Sequence, residues 1–274
     1  MRGLREQLSI GVALAVLLPG CASQPKIIAA KPAEELYADA ERQIQRKRWD
    51  LAAEELRRLV DGHPYHELAP SAELRLGDMY FLDRRYGEAI ATFEQFLKMR
   101  PSHPEKPYAM YLIGSAHYHE RSTYDRDPTQ TRKAVEVFDR LLREHAGSPY
   151  AEQARARLDE SRAELAEHEI YIGAFYQKQE KYEAALKRFQ KVWRIYPEQP
   201  AAERARLRAG ECELRLGRPE AARKTLSQII HGSRDTELAD RASLLLEGAG
   251  LAPLPATAAL GPESAPAASR AAAQ

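Results

Sequence analysis

Eight histidines and two cysteines are the residues of this 274-residue chain best suited to metal binding or nucleophilic chemistry. Their spacing supports neither. His117 and His119 would point about 200° apart on an α-helix. His63 and His66 straddle Pro64 at a turn, and neither pair has an acidic or thiol companion at ligand spacing. Cys212 lies between Glu211 and Glu213, whereas a catalytic thiol needs a positive or helix-N-terminal setting, so it reads as a packed thiol. G-x-S-x-G, G-x-x-x-x-G-K-[ST], H-E-x-x-H and EF-hand patterns are missing from the sequence. The expectation is therefore a protein with no catalytic residue, cofactor or metal. Lys and Arg number 41 against 40 Asp and Glu, a net charge of +1, which argues against nucleic-acid binding through bulk positive charge.

The other cysteine has a different chemistry. Arg2 and Arg5 precede an apolar run from Leu8 to Leu18, too short for a spanning helix, which needs about 20 residues. This reads as a secretory signal over residues 1–20. The sequence Leu18-Pro19-Gly20-Cys21 resembles a bacterial lipobox, in which the cysteine carries S-diacylglycerol and N-palmitoyl groups after cleavage. Pro19 departs from the small or β-branched residue commoner at that position. Residues 21–32 then form a lipidated linker, and Ala22 rather than Asp favours sorting to the outer membrane. Cleavage removes Arg2, Arg5 and Glu6 and leaves the charges balanced, so attachment would come from the acyl chains, not from a basic surface.

The elements that carry these residues are set by an internal repeat. Small residues recur at Ala40, Gly77, Gly114, Gly173 and Gly210, and downstream of them come Ala52/Leu56, Ala89/Phe93, Ala134/Phe138, Ala185/Phe189 and Ala222/Leu226. This is the logic of paired helices. Helix A offers a small residue where the backbones approach, and helix B answers with Ala and a bulky plug one turn later. Pro64, Pro101 and Pro197 follow helix B, where the chain must leave the helical path. The pattern predicts an all-α, right-handed solenoid of five tetratricopeptide-like helix pairs over residues 33–247, with repeats at about 33–65, 70–102, 107–149, 150–198 and 201–235. Repeat three carries an insertion near His119 to Pro128, read as a polar loop between its helices. Residues 150–178 contain no Pro and read as one long helix leading into repeat four. Residues 248–274, rich in Ala and Pro, read as a disordered tail.

Within this frame two kinds of residue are candidates for binding. Tyr37, Phe81, Tyr108, Tyr111 and Tyr118 fall on helices A of repeats one to three. Aromatics lining the groove there would offer large contact area at low entropy cost to an extended peptide. The basic residues Lys187, Arg188, Lys191 and Arg194 in helix B of repeat four are interleaved with acids, as on a solvated face.

The signal, the lipobox cysteine and five such repeats together resemble the BamD family, lipoproteins of the outer-membrane β-barrel assembly machinery. The resemblance covers about residues 18–235 and is carried by Glu35-Leu36-Tyr37, Arg48-Trp49, Tyr108-Ala109-Met110-Tyr111 with Gly114, Asp125-Arg126-Asp127-Pro128 inside the repeat-three insertion, and Arg188 with Tyr196-Pro197. It implies a non-enzymatic scaffold, lipid-anchored to the outer membrane and facing the periplasm. Such a scaffold docks to the periplasmic domains of the barrel assembly factor, sits among other lipoproteins of that complex, and helps receive unfolded outer-membrane proteins. It implies a partner-binding role for Arg188, since the family's C-terminal repeats face the assembly factor, and substrate recognition by the N-terminal repeats. The insertion is shorter than in some members, which puts contacts through that loop in doubt. The competing reading is a periplasmic repeat scaffold of cell-wall synthesis or division. Such proteins carry fewer repeats behind a coiled-coil segment, and no such segment is read here.

Overall fold

The computed structural model describes residues 31–260. Cys21, with the expected signal and most of the linker, lies outside the described residues. The chain forms twelve helices among the described residues: α1 (Ala33–Gln45), α2 (Trp49–Gly62), α3 (Ala69–Leu82), α4 (Tyr86–Met99), α5 (Lys106–His119), α6 (Thr129–Glu144), α7 (Ala151–Lys178), α8 (Tyr182–Ile195), α9 (Ala201–Arg215), α10 (Pro219–Gly232), α11 (Thr236–Gly248) and α12 (Ala256–Leu260). No strand occurs among these residues. Each helix from α1 to α10 packs on the next, α12 packs on α10, and weaker contacts join α3 to α5, α5 to α7, α7 to α9 and α9 to α11. The odd-numbered helices from α1 to α9 are thus the A layer and their even-numbered successors the B layer of a tetratricopeptide-like solenoid.

The repeat spacing has a direct steric cause. A Cβ placed on Gly77 would come 2.5 Å from the Phe93 ring, one on Gly114 2.5 Å from Phe138, one on Gly173 2.5 Å from Phe189, and one on Gly210 2.5 Å from a Leu226 methyl. The plug of each B helix rests on the bare backbone of its A helix. Phe93, Phe138, Phe189, Leu56 and Leu226 are all buried, as are Ala52, Ala89, Ala134, Ala185 and Ala222.

The turns repeat as well. Lys47, Arg84, Glu180 and Gly217 all take positive φ, between 55° and 67°. Each sits in a left-handed helix-ending motif, in which the next residue's N–H reaches back: Arg48 to Gln43 O, Arg85 to Tyr80 O, Lys181 to Tyr176 O and Arg218 to Glu213 O. Repeat three lacks this turn. Its α5 runs on to His119, and residues 120–128 replace the tight connection. At the far ends of α2, α4, α6 and α8, His63, Arg100, His145 and Tyr196 share φ between −125° and −140° with ψ between 45° and 64°, which takes the chain out of the helix before the following turn.

Helix α7 runs unbroken for 28 residues, about 42 Å at 1.5 Å per residue. It packs on α6 as well as on α8 and touches both α5 and α9.

The C-terminal tail departs from the expectation of disorder from residue 248. Gly250 at φ 70° ends α11, and residues 251–260 then fold back along α10. Arg223 Nε donates to Ala252 O at 2.7 Å, Ser227 Oγ accepts from Leu254 N at 2.9 Å, His231 Nε2 bonds Leu254 O at 2.7 Å, and Gln228 Nε2 donates to Ala259 O at 3.2 Å. Ala259 is buried. Composition registers how little apolar side chain this segment offers. It does not register that polar side chains of α10 grip the segment's backbone. Residues 261–274 lie outside the described residues.

Candidate functional site

The A-layer face of repeats one to three carries most of the expected aromatics. Tyr37 on α1, Phe81 on α3 and Tyr108 and Tyr111 on α5 are half-buried, each with part of its ring against core and part toward solvent. The structure gathers two of them with a residue that the sequence did not single out. Tyr150, at the start of α7, lies 5.4 Å from Tyr108 and stacks on Tyr111 at 5.6 Å. The signal that could have found it is its place directly before α7, after Pro149, facing the layer that α5 belongs to. Phe81 belongs to a separate cluster: its ring meets Tyr86 at 5.3 Å and His119 at 5.6 Å, and Tyr86 and His119 stack at 5.4 Å. Burial, and then the charges of Arg157, Arg121 and Arg84, hold the His119 imidazole below its usual pKa.

Polar groups fix this surface. Tyr108 Oη donates to Asp78 Oδ1 at 2.6 Å. Burial pushes the Asp78 carboxyl up to about 6, against the hydrogen bond from Tyr108 and the charge of Arg75. The Tyr108 phenol is in turn pushed well up, by burial and by the negative charge of Asp78. Arg75 Nε also lies 3.6 Å from Glu41 on α1, so α1, α3 and α5 are cross-linked through one polar line.

Tyr118 corrects the sequence expectation. It is only 7% exposed. Arg121 covers its ring at 3.7 Å, Arg157 approaches at 4.3 Å, and its hydroxyl donates to Glu160. Repeat alignment places Tyr118 beside the groove, but the insertion lets Arg121 fold over it and reach Glu164 on α7 at 3.0 Å. Its ring is therefore unavailable to a peptide.

Arg188 on α8 is part of a charged knot. Glu169 of α7 is buried, 4% exposed, and accepts from Arg188 Nη1 at 3.1 Å and from Lys191 Nζ. Burial alone would raise the Glu169 pKa. The hydrogen bonds from Lys191 and Arg188 outweigh it and hold the carboxyl below its ordinary value. Arg188 keeps over a third of its side chain in solvent, so it can tie α8 to α7 and still meet a partner. Sequence reasoning also missed an exposed aromatic strip, where Tyr124 of the insertion meets Tyr171 of α7 at 5.9 Å and Phe175 follows one turn on.

Elsewhere, Cys212 is buried and its thiol is pushed up to about 12, by burial and then by Glu211 and Glu213, which leaves it protonated at neutral pH. Among the described residues no three His, Cys, Asp or Glu side chains gather as a metal site, and no helix is long and apolar enough to cross a membrane.

Stacked helix pairs with side-chain surfaces held ready on both layers define a tetratricopeptide-like repeat protein. The family model for YfiO, an outer membrane lipoprotein, matches residues 29–228, and the chain belongs to that family. It is 28% identical over 232 residues to the outer membrane protein assembly factor BamD of Vibrio cholerae serotype O1, an alignment covering 81% of this chain and 96% of that protein. It is 29% identical over 229 residues to the BamD of Rickettsia prowazekii, covering 82% and 90%. Among solved structures, the crystal structure of MamA is similar at 15% identity and a TM-score of 0.34, covering 81% of this chain and 98% of that one.

Proposed function

We propose that this chain is a lipid-anchored scaffold of outer-membrane β-barrel assembly. The observation that carries the reading is similarity along nearly the whole length of relatives named as that assembly factor, together with the match to the outer membrane lipoprotein family over residues 29–228. The protein works by contact, without a catalytic centre or cofactor. Acyl groups on Cys21 hold it to the outer membrane on the periplasmic side. The surface around Tyr37, Phe81, Tyr108, Tyr111 and Tyr150 receives an extended segment of an unfolded outer-membrane protein, whose apolar and aromatic side chains would replace water on the half-exposed rings. Arg188 and its neighbourhood on repeat four meet the periplasmic domains of the barrel assembly factor.

Depletion of the protein, or Cys21→Ala at equal abundance, is expected to lower the amount of porin in the outer membrane. Unchanged porin levels after depletion would sink the proposal. For the partner surface, Arg188→Ala is preferable to a charge reversal, which would set a second carboxylate against buried Glu169. Loss of assembly-factor capture by Arg188→Ala, with Glu169→Gln retaining capture, supports a direct contact. Equal loss in both variants means that Arg188 serves only to hold α8 on α7.

A further inference from the structure

The connection from α2 to α3 is pinned to the start of the fold. The His63 ring bonds Lys31 O at 2.9 Å, and the His66 ring bonds Glu34 Oε1 at 3.1 Å while accepting from Leu68 N at 3.2 Å. His66 N also donates to His63 O. At the tip of this braced turn Tyr65 is fully exposed, 101%. Beside it, at the end of α4, Met99 is 61% exposed. The two residues rim a cleft of about 620 Å³ whose wall includes Pro64, Val60 and Leu76. A single apolar side chain in water needs no explanation. A rigidly presented Tyr, an exposed Met and an apolar cleft at the same edge do call for one.

The position of that edge indicates what covers it. Lys31, whose carbonyl His63 holds, is where the linker from Cys21 joins the fold. The ten links between Cys21 and Lys31 can span at most about 35 Å. If Cys21 is acylated, as proposed above, the bilayer surface lies within one short linker of Tyr65. Tyr is suited to that boundary, with an apolar ring for the acyl region and a hydroxyl for the headgroups. Two nearby cations are paired, Lys31 with Asp39 and Arg100 with Glu73, and Arg57 on the cleft wall donates to Tyr80 Oη. Asp61 and Glu67 are exposed on the same turn. The connection itself, residues 63–68, contains no Lys or Arg, so its attraction is interfacial rather than one of basic residues for anionic lipid.

We infer that the α2–α3 turn, through Tyr65 with Met99 beside it, rests on the membrane interface that holds the Cys21 acyl groups and so sets how the solenoid hangs from it. The test uses the acylated full-length protein in phosphatidylcholine vesicles, with a spin label on Glu67→Cys and, separately, on Arg46→Cys at the other end of α1. Cys212 is buried and Cys21 is blocked, so the label goes to the introduced thiol. The ratio of oxygen to nickel-chelate accessibility should be several-fold higher at position 67 than at position 46. It should fall to the position-46 level when Tyr65→Ala is added, and stay unchanged at ~1 M salt, where the screening length is about 3 Å. Mass spectrometry of the same sample reports acylation. An acylated chain with position 67 as water-exposed as position 46 overturns the membrane contact alone. A chain purified without acyl groups overturns the tether and the membrane contact together. A ratio at position 67 that collapses in salt overturns the interfacial mechanism.

Discussion

At the scale of single residues, the four buried glycines are the sharpest constraints. Gly173→Ala would drive a methyl into the Phe189 ring, an overpacking that costs about 1–3 kcal/mol. Phe189→Leu in the same chain should recover part of that loss, because it withdraws the atoms the methyl meets. Urea unfolding of the two single variants and the double variant checks this, and strict additivity would refute the contact. Asp78 makes a pH prediction. Its folded pKa of about 6 stands above the ordinary 3.8, so the folded state binds the extra proton between those values. Asp78 therefore lowers stability progressively as pH rises from about 4 to 6. Asp78→Asn, which can still accept from Tyr108, should remove that dependence. The stability of the variant relative to the parent should grow from pH 4 to 6 and then level off in urea titrations. The buried pairs were legible in the sequence because a glycine followed about sixteen residues on by Phe or Leu recurs in three repeats, and the longer Gly114–Phe138 spacing differs only by the repeat-three insertion. The shielding of Tyr118 was not, since it depends on which way Arg121 folds after the insertion, and the arrival of Tyr150 depends on the angle at which α7 meets α5.

Among the elements, the turns between A and B helices carry an unequal load. Gly217 takes the left-handed conformation at no steric cost, while Lys47, Arg84 and Glu180 take it with a side chain. For an L-residue that conformation costs roughly 1–2 kcal/mol, part of which glycine gives back as backbone entropy. Glu180→Gly is therefore expected to raise stability by up to about 1 kcal/mol, and Gly217→Ala to lower it by about as much, both read as shifts in the urea midpoint. Opposite signs would mean that the side chains make interactions that outweigh the strain. Helix α7 was readable from residues 150–178 because nothing there breaks a helix, and the insertion in repeat three showed as added polar residues ending at Pro128. The return of residues 251–260 onto α10 could not be read. The grip comes from Arg223, Ser227, Gln228 and His231, which belong to another element and look like ordinary surface residues of it.

For the molecule as a whole, packing runs almost entirely between successive helices, so its stability is a chain of neighbour terms. Ending the chain after Gly248 should loosen α10 and α11 and leave α1 to α4 as they are. Hydrogen exchange would show faster amide exchange in residues 219–248 alone. Acceleration spreading to residues 33–99 would mean that the stack melts as one unit. Five stacked pairs were legible from spacing. Which stretches of the outer surface stay free for a partner was not, because exposure at Arg188, Tyr171 and Phe175 depends on how neighbouring repeats lean.

Helix α7 is a member of two stacks at once, laid against α6 over its first half and against α8 over its second. A joint between repeats three and four would need a loop there, and the chain supplies a continuous rod in its place. A pull or a tilt imposed on repeat three is therefore conveyed along α7 to repeat four with no loop between them, so those two repeats turn together.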